Sequence, residues 1–232
     1  MERSEDSDRG SIAHRNERDA SLPIAPIPCS VFERRWERMH RTMAERALDA
    51  LVVTALPNIR WLTDFTAPLG LSADRSWIAV LPASGEPIAV MPLVVANDFE
   101  GTHVARVETW NNPDPNAEHD GLELVTSILA DLPRCSGRVG LDMGRGVRPT
   151  VPWGWVEALN RSWDVADCTD AFLAGRSIKA PGEIERIERA AMATCRTFET
   201  MADGPSTIGA TEVSLARRYA AALALDGAAT LG

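Results

Sequence analysis

Between Val31 and Leu48 the apolar residues Val31, Phe32, Trp36, Met39, Met43, Ala47 and Leu48 recur at steps of one, three or four. That spacing predicts an amphipathic helix. "ALVVTA" (50–55) follows as a short continuous apolar run, the pattern of a strand buried on both faces. "SWIAVLP" and "PIAVMP", separated by "ASGE", predict a hairpin. "HVARVETW" (103–110) predicts another strand and "EHDGLELVTSILADL" (118–132) a helix, with Leu122, Val125, Ile128 or Leu129, and Leu132 on one side. "RVGLDM" (138–143) reads as a strand, "VPWGWVEALN" (151–160) as a short helix and "SWDVADC" (162–168) as a last strand. Alternation of helices and strands predicts a three-layer α/β domain with a mixed sheet, the hairpin supplying its antiparallel part.

Beyond that domain the pattern changes. "SIKAPGEIERIERAAMATCRTFETMADG" (177–204) is a long helical run with Ile184, Ile187, Ala191, Thr194 or Cys195, and Phe198 on one face. Pro181 suits its first turn, and Gly204-Pro205 ends it. "GATEVSLARRYAAALALDG" (209–227) predicts a second helix, with Thr211 as N-cap. Two striped helices of about 50 residues bury little core alone, so part of the Ile184, Ile187, Ala191 and Phe198 stripe is expected to stand uncovered. Residues 1–30, polar and then Pro-rich, read as a disordered tail running into an extended arm. The expected organisation is therefore a tail (1–30), an α/β domain (31–176) and a separate helical start (177–232).

Composition narrows the function classes. The 232 residues carry a formal net charge of -9, which disfavours nucleic acid as a partner. Lys179 is the only lysine among 24 basic residues, a compositional bias without mechanism. No apolar run approaches the roughly 20 residues that span a bilayer. Cys29, Cys135, Cys168 and Cys195 form no C-x-x-C and read as reduced thiols of a cytoplasmic protein. There is no H-E-x-x-H, P-loop or G-x-S-x-G, and "GLDMGRG" (140–146) lacks dinucleotide spacing. His14, His40, His103 and His119 show no ligand spacing.

"NIRWLTDF" (58–65) is the informative stretch. Following a buried strand, it reads as a turn: Asn58 caps it, Ile59, Trp61, Leu62 and Phe65 pack beneath the sheet edge, and Arg60 and Asp64 project outward. With its lead-in, "ERALDALVVTALPNIRWLTDF" (45–65) resembles the first strand and turn of the creatinase and Xaa-Pro peptidase amino-terminal domain. "IKAPGEIERIERAA" (178–191) resembles the Ile-Lys-x-Pro-x-Glu-Ile segment that opens that family's catalytic domain, and "GATEVSLA" (209–216) its Gly-x-Thr-Glu segment. The resemblance implies a creatinase-type, ribonuclease-H-like amino-terminal domain followed by the truncated start of an α+β pita-bread domain. It also implies homo-oligomerisation or pairing with a full-length paralogue, and a lip over a neighbouring subunit's substrate pocket. Asp64, Phe65 and Arg75 are the candidates for that lip.

Catalysis in the family is implied to need two divalent ions (manganese, cobalt or zinc) held by two Asp, one His and two Glu. No histidine follows His119, and the late carboxylates (Glu183, Glu185, Glu188, Glu199, Asp203, Glu212 and Asp226) fall on predicted helices, where pairs such as Glu185 with Arg189 read as solvated ion pairs. No catalytic residue, metal ligand or cofactor site is therefore assigned within these 232 residues. The expectation is the front part of a Xaa-Pro dipeptidase- or aminopeptidase-like hydrolase, inactive alone. The alternative is a non-enzymatic dimerisation or interaction module of the same descent.

Overall fold

The computed structural model describes residues 25–65, 75–99, 101–104, 106–111, 120–133, 136–204 and 207–226. The chain divides into two compact units, Pro28–Lys179 and a second comprising Met1–Ile27 with Ala180–Gly232.

The larger unit runs α1 (Cys29–Arg46), β1 (Ala50–Val53), α2 (Leu56–Thr63), β2 (Ile78–Pro82), β3 (Ile88–Pro92), a 3-10 segment (Leu93–Phe99), β4 (Arg106–Trp110), α3 (Leu122–Asp131), β5 (Arg138–Leu141), α4 (Trp153–Asn160), β6 (Asp164–Asp167) and α5 (Thr169–Ser177). The strands form one sheet in the order β4-β3-β2-β1-β5-β6. β2 pairs antiparallel with both β1 and β3, and every other pairing is parallel. Five strands therefore run one way and β2 alone runs back, which agrees with the hairpin and mixed sheet expected from the pattern.

β1 and β2 are buried at every position, because helices cover both faces of the sheet. On one face Ala50, Val52, Val80, Val139 and Leu141 pack with Val125, Ile128 and Leu129 of α3 and with Trp155 and Leu159 of α4. The alternate residues, Leu51, Val53, Ala79, Leu81 and Met91, are buried on the other face. There α1 contributes Phe32, Trp36, Met39 and Met43, all buried. The Trp36 indole N–H donates to the Leu62 carbonyl at 2.9 Å and the Arg35 guanidinium to the Trp61 carbonyl at 2.7 Å, tying α1 to α2.

Two elements depart from the sequence reading. "NIRWLTDF" is not a turn. Residues Leu56–Thr63 form a helix with Pro57 in its first turn, closed by Asp64 in the left-handed region at φ 61°. A proline there lacks only an N–H that has no helical partner anyway, and its fixed φ already suits the helix. Asn58 consequently caps no turn. It is buried, and its side chain faces the sheet edge. Second, Thr169–Ser177 is a helix that the pattern did not reveal. Its apolar residues Ala171, Phe172 and Gly175 are buried, and Gly175 lets it lie close to Trp61: a Cβ there would sit 2.8 Å from that indole.

The second unit contains α6 (Pro181–Ala202) and α7 (Glu212–Leu225). Pro181 opens α6, the Glu183 carboxylate accepts from the Ala180 amide at 2.8 Å, and Thr211 caps α7 by accepting from the Ser214 amide. Glu185 and Arg189 pair at 3.0 Å as expected. α6 buries Ala193 and Thr197 and α7 buries Leu223, while Phe198 and Tyr219 pack ring against ring at 5.1 Å. Ile184, Ile187 and Phe198 remain exposed, which is the uncovered stripe anticipated above. Residues 1–24 lie outside the described residues, as do Cys135, His14 and His119.

Candidate functional site

The carboxyl ends of β1, β5 and β6 share one rim of the sheet, and β2 begins there because it is reversed. Helical backbone after β1 and β6 and the loop after β5 bring polar groups together on this rim. Asp142, the residue after β5, is fully buried. One carboxylate oxygen accepts from the Thr54 amide (2.7 Å) and the Thr54 hydroxyl (2.9 Å). The other accepts from the Ala55 amide (3.1 Å) and the Asn58 side-chain amide (2.8 Å). Burial pushes the carboxyl pKa up, and the donors from Asn58, Thr54 and Ala55 pull it back down. The Asn58 side-chain oxygen in turn accepts from the Arg176 guanidinium at 3.0 Å.

Two further polar knots complete the rim. The Thr150 hydroxyl accepts from the Trp77 amide at 2.9 Å and lies 2.8 Å from the Thr54 carbonyl, so it fastens the start of β2 to the end of β1. Asp167 accepts from the amide and hydroxyl of Thr169, whose hydroxyl oxygen accepts from the Gly144 amide at 2.6 Å. Gly144 has no room for a side chain, since a Cβ there would collide with the Asp167 carboxylate. At the opposite rim Asp49 fastens the start of β1 to that of β5, accepting from the Gly137 amide at 2.7 Å and the Ser136 amide at 3.1 Å.

The three lip candidates lie at the two ends of residues 66–74, which are outside the described residues. Asp64 is half-buried, and its amide donates to the Arg60 carbonyl at 2.9 Å. Phe65 is 1% exposed; its ring stacks on Phe99 at 4.3 Å and lies 5.8 Å from Trp77. Arg75 is half-buried at the entry to Trp77. Among the described residues no hydrogen bond or ion pair joins Asp64 to Arg75. The buried Asp142 and the half-buried Arg176, polar partners of Asn58, escaped the sequence reading; the available signal was Asp142 directly after an apolar strand, a position at which a carboxylate can collect amides from the neighbouring strand end.

Of the histidines, His103 packs its ring 4.3 Å from Phe32, and His40 is half-buried on α1. Cys29, Cys168 and Cys195 are free thiols. Burial raises the Cys168 pKa, and the nearby Arg46 guanidinium opposes that shift. Arg46 itself grips Asp170 through two hydrogen bonds of 2.8 and 2.6 Å. Among the described residues no group of three or more His, Cys, Asp or Glu side chains could hold a metal ion. Asp142 is a poor ligand, since four protein donors already occupy its oxygens. These residues do not fit a two-metal centre. No described helix is long and apolar enough to cross a membrane.

A six-stranded mixed sheet with one reversed strand and helices on both faces makes the larger unit an α/β domain, with Asp142 fixing its rim. Residues 35–178 match the family model described as the Creatinase/Prolidase N-terminal domain. The chain belongs to that family. Its fold is similar to the prolidase from Thermococcus sibiricus (TM-score 0.69, 17% identity, covering 88% of this chain and 52% of that one). It is also similar to the dipeptidase PepE from Mycobacterium ulcerans (TM-score 0.61, 23% identity, 90% and 53%) and to the prolidase from Pyrococcus horikoshii OT3 (TM-score 0.64, 15% identity, 84% and 49%). The chain thus spans about half the length of these solved relatives. No curated protein matches it.

Proposed function

We propose that this chain is the front part of a Xaa-Pro dipeptidase- or aminopeptidase-like hydrolase, and that it does not hydrolyse substrate by itself. The family match over residues 35–178 carries the reading. The "IKAPGEIE" segment directly after it supports a continuation into the start of a pita-bread catalytic domain. The expectation of inactivity is supported by the sequence, in which no histidine follows His119 to match the ligand histidine that the family resemblance implies. In this reading the domain is a cytoplasmic scaffold that covers a substrate pocket in an oligomer. Asp64 and Arg75 form the lip, and Phe65, held by Phe99, roots it.

The test is direct. The purified chain is supplied with cobalt or manganese and a dipeptide ending in proline, and free proline is measured. No release above background is expected, and sustained turnover would overturn the reading. Isothermal titration should likewise detect no stoichiometric binding of manganese, cobalt or zinc.

A second reading, a non-enzymatic interaction module, draws support from the exposed Ile184, Ile187, Phe198 and Val213 on α6 and α7. Under it the chain associates with itself or with a full-length paralogue. Light scattering separates the two: a monomer at micromolar concentration disfavours self-association, and a concentration-dependent dimer favours it.

A further inference from the structure

Asn58 occupies a position that only a side chain with both a donor and an acceptor can fill. Its amide nitrogen donates to Asp142 at 2.8 Å, and its amide oxygen accepts from Arg176 at 3.0 Å. The two contacts fix the orientation of the amide, because a carboxylate only accepts and a guanidinium only donates. Arg176 sits in the last turn of α5. The Lys179 ammonium donates to the Arg176 carbonyl at 2.5 Å, and the backbone then leaves the larger unit after Lys179. A continuous chain of polar contacts thus runs from the end of β5, through the first turn of α2, to the residues where the chain leaves the domain.

We propose that Asp142, Asn58 and Arg176 form a latch that holds the exit turn, Arg176–Lys179, to the carboxyl rim of the sheet. The buried carboxylate and the guanidinium are joined through a neutral amide instead of a direct ion pair. A contact of that kind can open at the α5 end while the Asp142 cluster stays intact: Thr54, Ala55 and Asn58 still satisfy the carboxylate, and the released guanidinium, already half-buried, gains water. The exit turn is therefore a locally opening unit whose closure is governed from the sheet edge. Asp142 and Asn58 are positioning residues here, and Arg176 is the bolt.

Amide hydrogen exchange on the 232-residue chain tests this. Arg176→Met keeps much of the apolar stem of the side chain and removes the donor. It should speed exchange at Gly175–Ser177, the last turn of α5, by about tenfold, the scale of losing one hydrogen bond to a charged group, while Leu51, Val52 and Val139 in the sheet stay within twofold of the parent. Asn58→Ala should speed exchange over the same three residues, and Arg176→Met added to it should produce little further change. The latch is overturned if Arg176→Met leaves Gly175–Ser177 within twofold of the parent, if it accelerates the sheet and the end of α5 equally, or if the two substitutions act additively. Should Asn58→Ala fail to fold, the Arg176→Met comparison of the end of α5 against the sheet decides alone.

Discussion

At the scale of single residues, the buried Asp142 and the half-buried His40 respond to protons and substitution in different ways. Asp142→Asn replaces an oxygen that accepts with an amide group that faces donors. The variant should lose about 2–3 kcal/mol of stability, the scale of breaking a buried, charge-assisted network, as read from the urea midpoint. His40 has its pKa lowered, chiefly by burial, with the Pro82 and Gly85 carbonyls and the Glu37 charge pushing the other way. Its Nε2 is buried without a hydrogen-bond partner among the described residues. The folded state therefore binds the proton less tightly than the unfolded chain does, so unfolding takes up a proton and acidification favours it. Melting temperature should fall as pH drops from about 7.5 to about 5.5, across the ordinary histidine range near ~6.5. His40→Gln should flatten that part of the profile, and an unchanged slope would remove His40 as its cause. Sequence alone named His40 and gave it no role, since periodicity places a residue on a helix but not against a particular hairpin turn.

At the scale of elements, β5 shows why close packing constrains this sheet. Gly140 in β5 has no space for a side chain: a Cβ there would approach the Cys168 sulfur and a Leu51 methyl to 2.5 Å each. Gly140→Ala should cost roughly 1–3 kcal/mol through overpacking, with part of the loss recovered by adding Cys168→Ala. Equal stability of parent and Gly140→Ala would contradict the packing described. Elements were legible where one periodicity dominated, as in α1, β1, the β2–β3 hairpin, α6 and the Thr211-capped α7. They were illegible where the pattern was short and mixed. Within "NIRWLTDF" the apolar residues at 59, 61, 62 and 65 satisfy a packed turn or a two-turn helix equally, and only Pro57 one step earlier favoured the helix. α5 begins with Thr169 and Asp170 and contains Gly175 and Arg176, so its apolar stripe is reduced to Ala171 and Phe172. Its stability rests on tertiary contacts such as the edge-on pairing of Phe172 with Trp61, which no local pattern reports. The Asp142 cluster was hidden for the same reason: Thr54 and Asp142 lie 88 positions apart in sequence.

At the scale of the molecule, the two units differ in how much they bury. The larger fully buries Trp77, Trp155, Phe32 and Phe172, whereas the described helices of the other bury Ala193, Thr197 and Leu223. Amides of β1 and β5 should therefore exchange slowest, those of α6 and α7 much faster. Limited trypsin digestion should cut first after Lys179 and leave a fragment ending there. Equal protease resistance of residues 180–226 and 28–179 would show that the second unit has a core of its own.

The single reversed strand has one more implication. Because β2 runs against its five companions, the connection from α2 into it starts and finishes on the same side of the sheet. The described residues at either end of that connection are each fastened: Phe65 stacks on Phe99, and the Trp77 amide donates to the Thr150 hydroxyl. The antiparallel pairing of β2 with β1 is therefore braced at Trp77, one residue before the strand begins at Ile78.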